Sequence, residues 1–161
     1  MRIGTFNARG LLLEEKKQHL AQDFLNYKLD VLCIQETHLR GTSTLDLKGE
    51  KGESLKLFYT GSEADSHHGV GILVENNRKV LFKRINDRIC YIKLIDKLIT
   101  VICAYAPTNS NTRENKANTE EFYQALSDTL NSIPSRYQTF IAADLNSQIG
   151  SYHLEHPELT V

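Results

Sequence analysis

Apolar and polar positions along the 161-residue chain alternate between two periods. Arg2 to Asn7 reads as a short strand that stops at Asn7-Ala-Arg-Gly10, where glycine breaks the pattern. Leu13 to Tyr27 has helical spacing: Leu13, Leu20, Phe24 and Tyr27 can share one stripe, leaving Glu14, Glu15, Lys16, Lys17 and Asp23 to water. Asp30 to Gln35 is a second strand with Val-Leu-Cys-Ile at its centre, a continuous apolar run suited to cover on both faces. Strand, helix, strand in that order predicts two neighbouring parallel strands joined by a right-handed crossover.

The middle of the chain reads differently. Thr37 to Ser54 is polar, carries Gly41, Gly49 and Gly52, and is expected to be a long loop. Leu55 to Thr60 is a strand, and Gly61 to Gly69, with His67 and His68, a second loop. Gly71 to Glu75 and Lys79 to Arg84 form an expected hairpin around Asn76-Asn77. Arg88 to Ile95 and Lys97 to Tyr105 form another, turning near Asp96. Pro107 cannot donate to a sheet ladder, so that strand ends close to it. A helix follows within Arg113 to Ile133, with Phe122, Leu126, Leu130 and Ile133 as its apolar stripe. Thr112, Asn118 and Thr119 are its candidate caps, and Pro134 is its stop. Phe140 to Ala143 then has the length and kind of a buried strand.

Composition narrows the picture little. A 40% hydrophobic and 24% charged chain is an ordinary globular one, long enough for one domain with a sizeable core. A net charge of -1 gives no global basic field for nucleic acid, so any such partner would need a local basic rim. Cys33, Cys90 and Cys103 all sit in apolar runs, far apart and without Cys-x-x-Cys pairing. They read as reduced core thiols, in keeping with an intracellular compartment. Met1-Arg2 leads straight into a strand, so no signal peptide is expected, and no apolar run approaches membrane-spanning length.

The candidate chemistry lies where apolar runs end. Asn7, Glu36, Tyr105, Asp144 and Asn146 each close such a run or lie just past it. In Asp144-Leu-Asn146 an extended backbone puts the carboxylate and the amide on one side. Each has a plain structural reading as a turn residue, a surface strand end or a core tyrosine. Together they predict one cleft suited to hydrolysis of a phosphate ester. Glu36 is the candidate ligand for Mg²⁺ (or Mn²⁺), which needs only one or two carboxylates besides water and phosphate oxygens. Asp144 can orient and deprotonate an attacking water. Asn7 and Asn146 can hold that water, Asp144 or a phosphate oxygen, and Tyr105 can donate to a phosphate oxygen.

Five segments resemble the endonuclease/exonuclease/phosphatase superfamily, in the family's order: Ile3-Gly-Thr-Phe-Asn-Ala-Arg-Gly-Leu11, Ile34-Gln-Glu-Thr-His-Leu39, Gly69-Val-Gly-Ile72, Thr100-Val-Ile-Cys-Ala-Tyr-Ala-Pro-Thr108 and Ile141-Ala-Ala-Asp-Leu-Asn146. Within it the wording is most similar to retrotransposon endonuclease domains, which are akin to apurinic/apyrimidinic endonucleases, and to craniofacial development protein 2-like proteins. The resemblance implies an α/β fold, a four-layer α/β/β/α sandwich of the DNase I-like type with its site at one edge of two packed sheets. It supports the roles given to the five residues and a DNA substrate, and with the reduced cysteines the expected location is intracellular, the nucleus being one such compartment. The chain also departs from the family pattern. No late Asp or Ser-Asp-His segment matches, so the single domain 1–161 is expected to be incomplete at its C-terminus and weak or inactive as it stands. The alternatives are a non-catalytic remnant or binding domain of the same fold, and a phosphatase or lipid phosphodiesterase of the superfamily. His153 and His156 read as surface histidines, following Asn146 too closely to replace the late His. Ala143 stands where the family often has Gly, and Thr108 where many relatives carry Asn. Arg9 stands where the apurinic enzymes have Asp and cannot bind metal. His38 and the His67-His68 pair read as solvated loop residues that could reach phosphate.

Overall fold

The structure, a computed structural model, describes residues 1–64, 67–108 and 112–147. Strand β1 (Ile3–Asn7), helix α1 (Glu14–Asn26) and strand β2 (Val31–Gln35) open the chain. They are followed by β3 (Thr42–Lys48), β4 (Ser54–Thr60), β5 (Val70–Glu75), β6 (Val80–Arg84), β7 (Ile89–Leu94) and β8 (Ile99–Tyr105). Helix α2 (Arg113–Ser132) and β9 (Gln138–Asp144) complete the described elements. Two sheets result, one in the order β1-β2-β5-β4-β3 and the other β6-β7-β8-β9. β1 and β2 run parallel in direct register, as the strand-helix-strand pattern predicts.

Four layers follow from where apolar side chains go. Val31, Cys33, Ile72 and Val74 of the first sheet meet Cys90, Ile92, Val101 and Cys103 of the second in the central core. Leu20, Ala21 and Phe24 of α1 cover the other face of the first sheet through Leu32, Leu55 and Leu57. Phe122 and Leu126 of α2 cover the second sheet through Tyr91, Ile102 and Ala104. This is the α/β/β/α order expected. All five residues of β2 are buried, since it lies inside its sheet with apolar layers on both faces. The three cysteines are buried free thiols.

Several local expectations yield to tertiary pairing. Thr42–Lys48, inside the expected loop, is a strand: a polar edge strand whose only buried residue is Leu47, ordered by antiparallel pairing with β4. Such a strand has little apolar content to betray it. Asn76 and Asn77 do make a turn, but it joins no hairpin. β5 is flanked on both sides by β2 and β4, so the chain crosses to the other sheet and β6 pairs with β7. The β7–β8 hairpin forms as expected. Leu13 lies before α1 and Tyr27 after it, and both are exposed, so the covered stripe narrows to Leu20, Ala21 and Phe24. In α2, Leu130 is likewise more exposed than its spacing suggests, while Thr129 is buried. Thr112 is the cap, accepting from the Asn115 backbone N–H at 3.3 Å.

The largest departure is β9. An apolar run predicts a buried strand, yet Phe140 and Ile141 are exposed. β9 pairs only with β8, so among the described residues it is an edge. The four edges are not alike. β3 carries Asp46 and Lys48, and β6 carries Lys83 and Arg84, charges of the kind that guard an edge against pairing. β1 is uncharged, and β9 is uncharged until Asp144. The Gln138 N–H and the Asp144 carbonyl face β8's side, so alternation turns the backbone groups of Thr139, Ile141 and Ala143 to the open edge. An unguarded edge of this kind pairs with other chains. The protein is therefore expected to self-associate with rising concentration in sedimentation velocity. Ile141→Lys, at an exposed edge position, should restore the monomer without lowering the melting temperature. A strictly monomeric parent at high concentration would refute the edge argument.

A candidate phosphoester-hydrolysing site

The five candidate residues meet at one end of the two sheets. β1 and β2 end side by side, Asn7 opposite Gln35, so Asn7 and Glu36 leave the first sheet together. β8 and β9 end side by side in the second sheet, Tyr105 opposite Asp144. Parallel pairing in each sheet thus brings two functional strand ends to one place. Hydrogen bonds then close the constellation across the sandwich. The Asn7 amide Nδ2 donates to Glu36 Oε1 at 2.8 Å and to Asp144 Oδ2 at 3.0 Å. The Tyr105 hydroxyl donates to the same Glu36 Oε1 at 2.8 Å. Asp144 Oδ1 accepts from the Asn146 N–H at 3.1 Å, and Asn146 Nδ2 donates to the Ala106 carbonyl at 2.7 Å.

The loops that carry these groups are strapped to each other. The Gly10 N–H reaches the Glu36 carbonyl at 2.7 Å and the Leu11 N–H reaches the Thr37 carbonyl at 2.8 Å. Thr37 and His38 in turn donate to the carbonyls of Gly69 and His68. Gly69 itself has φ +107, and a side chain there would run into Thr37. Arg9, Glu36, His38 and Asn146 all hold positive φ, among only six non-glycine described residues that do. Such conformations cost on the order of 1–3 kcal/mol each and persist where surroundings fix them.

Gln35 has a part that its place in the motif did not reveal. It is 1% exposed, and its Nε2 donates to the Ala142 carbonyl at 3.3 Å and toward Cys103 Sγ at 3.4 Å. Its Oε1 accepts from Thr5 Oγ1 at 3.1 Å. One buried amide therefore ties β1, β2, β8 and β9 together beneath the site. A polar residue ending an otherwise apolar run was the available signal. Arg88 is the other unforeseen neighbour: its guanidinium lies 5.4 Å from the Tyr105 ring centroid and 2.9 Å from His68 Nε2. His38 Nε2 stands 3.9 Å from Glu36 Oε2, with the His67 ring edge-on to it. His153 and His156 lie outside the described residues.

Burial opposes ionisation of Glu36, but the hydrogen bonds from Asn7 and Tyr105, aided by the charges of His38 and Arg9, outweigh it. Its carboxyl titrates below the usual range and is an anion at neutral pH. Burial, and then the bond to Glu36, push the Tyr105 hydroxyl up, so it stays a protonated donor. Glu36 Oε1 is filled by two donors, which leaves Oε2 for a cation. No three His, Cys, Asp or Glu converge as a cage among the described residues. The donor set thus suits a hard ion that takes one carboxylate and completes its shell with water and phosphate oxygens.

The open space beside this constellation is a cleft of about 440 Å³ lined by Thr5, Phe6, Asn7, Asp144 and Asn146 among others. A larger apolar groove of about 650 Å³ lies elsewhere, between α1 and β1, and holds none of the five residues. Residues 4–156 match the endonuclease/exonuclease/phosphatase family. The chain belongs to that family. Among solved structures, the 3'-5' exonuclease NExo from Neisseria meningitidis is similar over 91% of this chain and 58% of its own, with 17% identity and a TM-score of 0.59. A Neisseria 3' phosphatase NExo bound to a product DNA hairpin gives 18% identity and a TM-score of 0.61 over the same shares. The AP endonuclease LMAP from Leishmania major gives 19% and 0.60, over 88% of this chain and 54% of its own. The family and these folds establish the DNase I-like architecture, and the chain spans little more than half of each neighbour. No curated protein matches the sequence.

Removal of the Asn7 amide takes away one of the two bonds that hold Glu36 ionised. Asn7→Ala is expected to raise the Glu36 titration midpoint in carboxyl-detected NMR, and the added stability that ionisation gives, present above the unfolded-state pKa and lost as pH falls through the folded one, should shrink. An unmoved midpoint would show that Asn7 does not set this charge.

Proposed function

We propose that this chain is a phosphodiesterase domain of the DNA endonuclease kind, dependent on Mg²⁺ or Mn²⁺. The carrying observation is the single Asn7 amide that bonds two carboxylates from different sheets, at the ends of parallel strand pairs. That arrangement gives the two carboxylates different neighbours and so different work. Glu36 would hold the cation through Oε2, which faces His38 Nε2 at 3.9 Å, and the cation would supply positive charge to a phosphate. Asp144 is fixed by Asn7 and by the Asn146 N–H, and it orients an attacking water and takes its proton. As the water oxygen bonds to phosphorus, the ester P–O bond breaks and the leaving oxygen takes a proton from solvent. Tyr105, kept protonated, would turn its single O–H from Glu36 to a phosphate oxygen whose charge grows in the transition state. Asn146 holds the Asp144 loop in its left-handed turn.

DNA as the substrate is favoured by the family match together with neighbours described as an AP endonuclease and as bound to a DNA hairpin. The retrotransposon-like reading, with its craniofacial development protein 2-like relatives, rests on the Thr-Phe-Asn-Ala-Arg-Gly, Glu-Thr-His-Leu and Tyr-Ala-Pro-Thr wording. A nuclear site of action is part of the same reading. No Ser-Asp-His segment occurs within the 161 residues, and for this polypeptide taken alone slow turnover is proposed. One missing preorganised donor costs on the order of a hundredfold to a thousandfold.

The test is nicking of supercoiled plasmid in Mg²⁺. Slow nicking is expected, reduced by a further hundredfold or so in Asp144→Ala or Glu36→Ala. Nicking that both variants retain would refute the assignment, and fast nicking that both abolish would refute the requirement for the late donor.

A further inference from the structure

Arg9 is held in place by more structure than an exposed turn residue needs. It follows Asn7 in the loop between β1 and α1 and has φ +47, a conformation that L side chains adopt at a cost. Gly10, at φ +95, completes the tight bend and packs against the His38 ring. Lys16, in the first turn of α1, points its ammonium back into this bend. It donates to the carbonyls of Arg9 at 3.1 Å and Gly10 at 3.0 Å, and reaches that of Ala8 at 3.5 Å. The Arg9 N–H is bonded to Asn7 Oδ1 at 3.1 Å. So the amide that joins the two carboxylates also holds the Arg9 backbone, and a lysine locks the loop from behind.

The held side chain has no structural task. Arg9 is exposed and makes no ion pair with any described residue, while other arginines such as Arg78 and Arg88 are engaged. Its charge is felt at Glu36. The site carries two carboxylates, Glu36 and Asp144, joined by Asn7 on a chain of net charge -1, a poor field for an anionic phosphate. A guanidinium matches phosphate with paired N–H donors and never loses its charge. We infer that Arg9 binds a backbone phosphate of the nucleic acid beside Asn7 and Glu36, and that Lys16 is a positioning residue that keeps Arg9 there by clamping the loop carbonyls. This rests on the DNA reading above, and adds to it a cationic phosphate contact.

Fluorescence anisotropy with labelled duplex DNA in Ca²⁺, at several salt concentrations, tests it. The parent is expected to bind more weakly as salt rises. Arg9→Ala should reduce the slope of log affinity against log salt by about one, the signature of one lost phosphate contact. Arg9→Lys should restore that slope while regaining only part of the affinity. Lys16→Met should weaken binding in the parent but add nothing in the Arg9→Ala background, a coupling that a general loss of fold would not produce. Matching melting temperatures establish that the variants are folded. A parent that does not bind DNA sinks the DNA reading and this inference with it. A parent that binds with salt dependence, and an Arg9→Ala slope equal to it, sinks the phosphate contact alone. Additive effects of Lys16→Met and Arg9→Ala sink the positioning role.

Discussion

One amide group organises this protein's candidate chemistry. Asn7 Nδ2 has two hydrogens, and it spends one on Glu36 and the other on Asp144. Its Oδ1 is spent on the Arg9 N–H. No aspartate at that position could do the same, because an ionised carboxylate only accepts and would repel both neighbours. Two carboxylates brought together without a donor would share a proton or drive one another apart. With the amide between them, Glu36 stays an anion and Asp144 stays oriented. The strain of four left-handed residues around the cleft is tolerable because this network, with the loop straps beside it, fixes them.

The scaffold explains why the amide is in reach. Two sheets stack face to face, and each contributes a pair of parallel strands that end at the same level. Gln35 joins those pairs just below the cleft, from inside the core, where an unmet amide would be costly. Its partners come from three other strands, β1, β8 and β9, so the relative height of the two sheets is set by polar contacts as well as by the apolar layer. The buried thiol of Cys103 belongs to this junction: it is bonded to Gln35 and to the Ile34 carbonyl.

Much of this was legible in the residues. The ends of apolar runs located all five polar groups, because a strand's last residue is where its side chain and backbone escape the core. The strand-helix-strand opening and the β7–β8 hairpin were readable because their partners are sequence neighbours. What was hidden depended on partners far along the chain. Thr42–Lys48 has no apolar face of its own and becomes a strand through β4. Glu75 and Val80 flank an ordinary turn, and nothing local tells that the strands part to different sheets. Phe140 and Ile141 look buried, since composition records a residue's preference and not whether a neighbouring strand exists. Lys16 was hidden for a related reason: its acceptors are backbone carbonyls, which leave no trace in the sequence; the partners of Gln35, Thr5, Cys103 and Ala142, lie far along the chain.

In the proposed mechanism the Asn7 amide gives the two carboxylates separate tasks, with Glu36 facing a hard cation and Asp144 kept for the water. Anomalous diffraction from crystals soaked in Mn²⁺ tests this most directly. One anomalous peak is expected against the Glu36 carboxylate, with Asn7 still bonded to Asp144. A peak bound to Asp144 and absent from Glu36, or an Asn7 side chain turned away from both carboxylates, would contradict it.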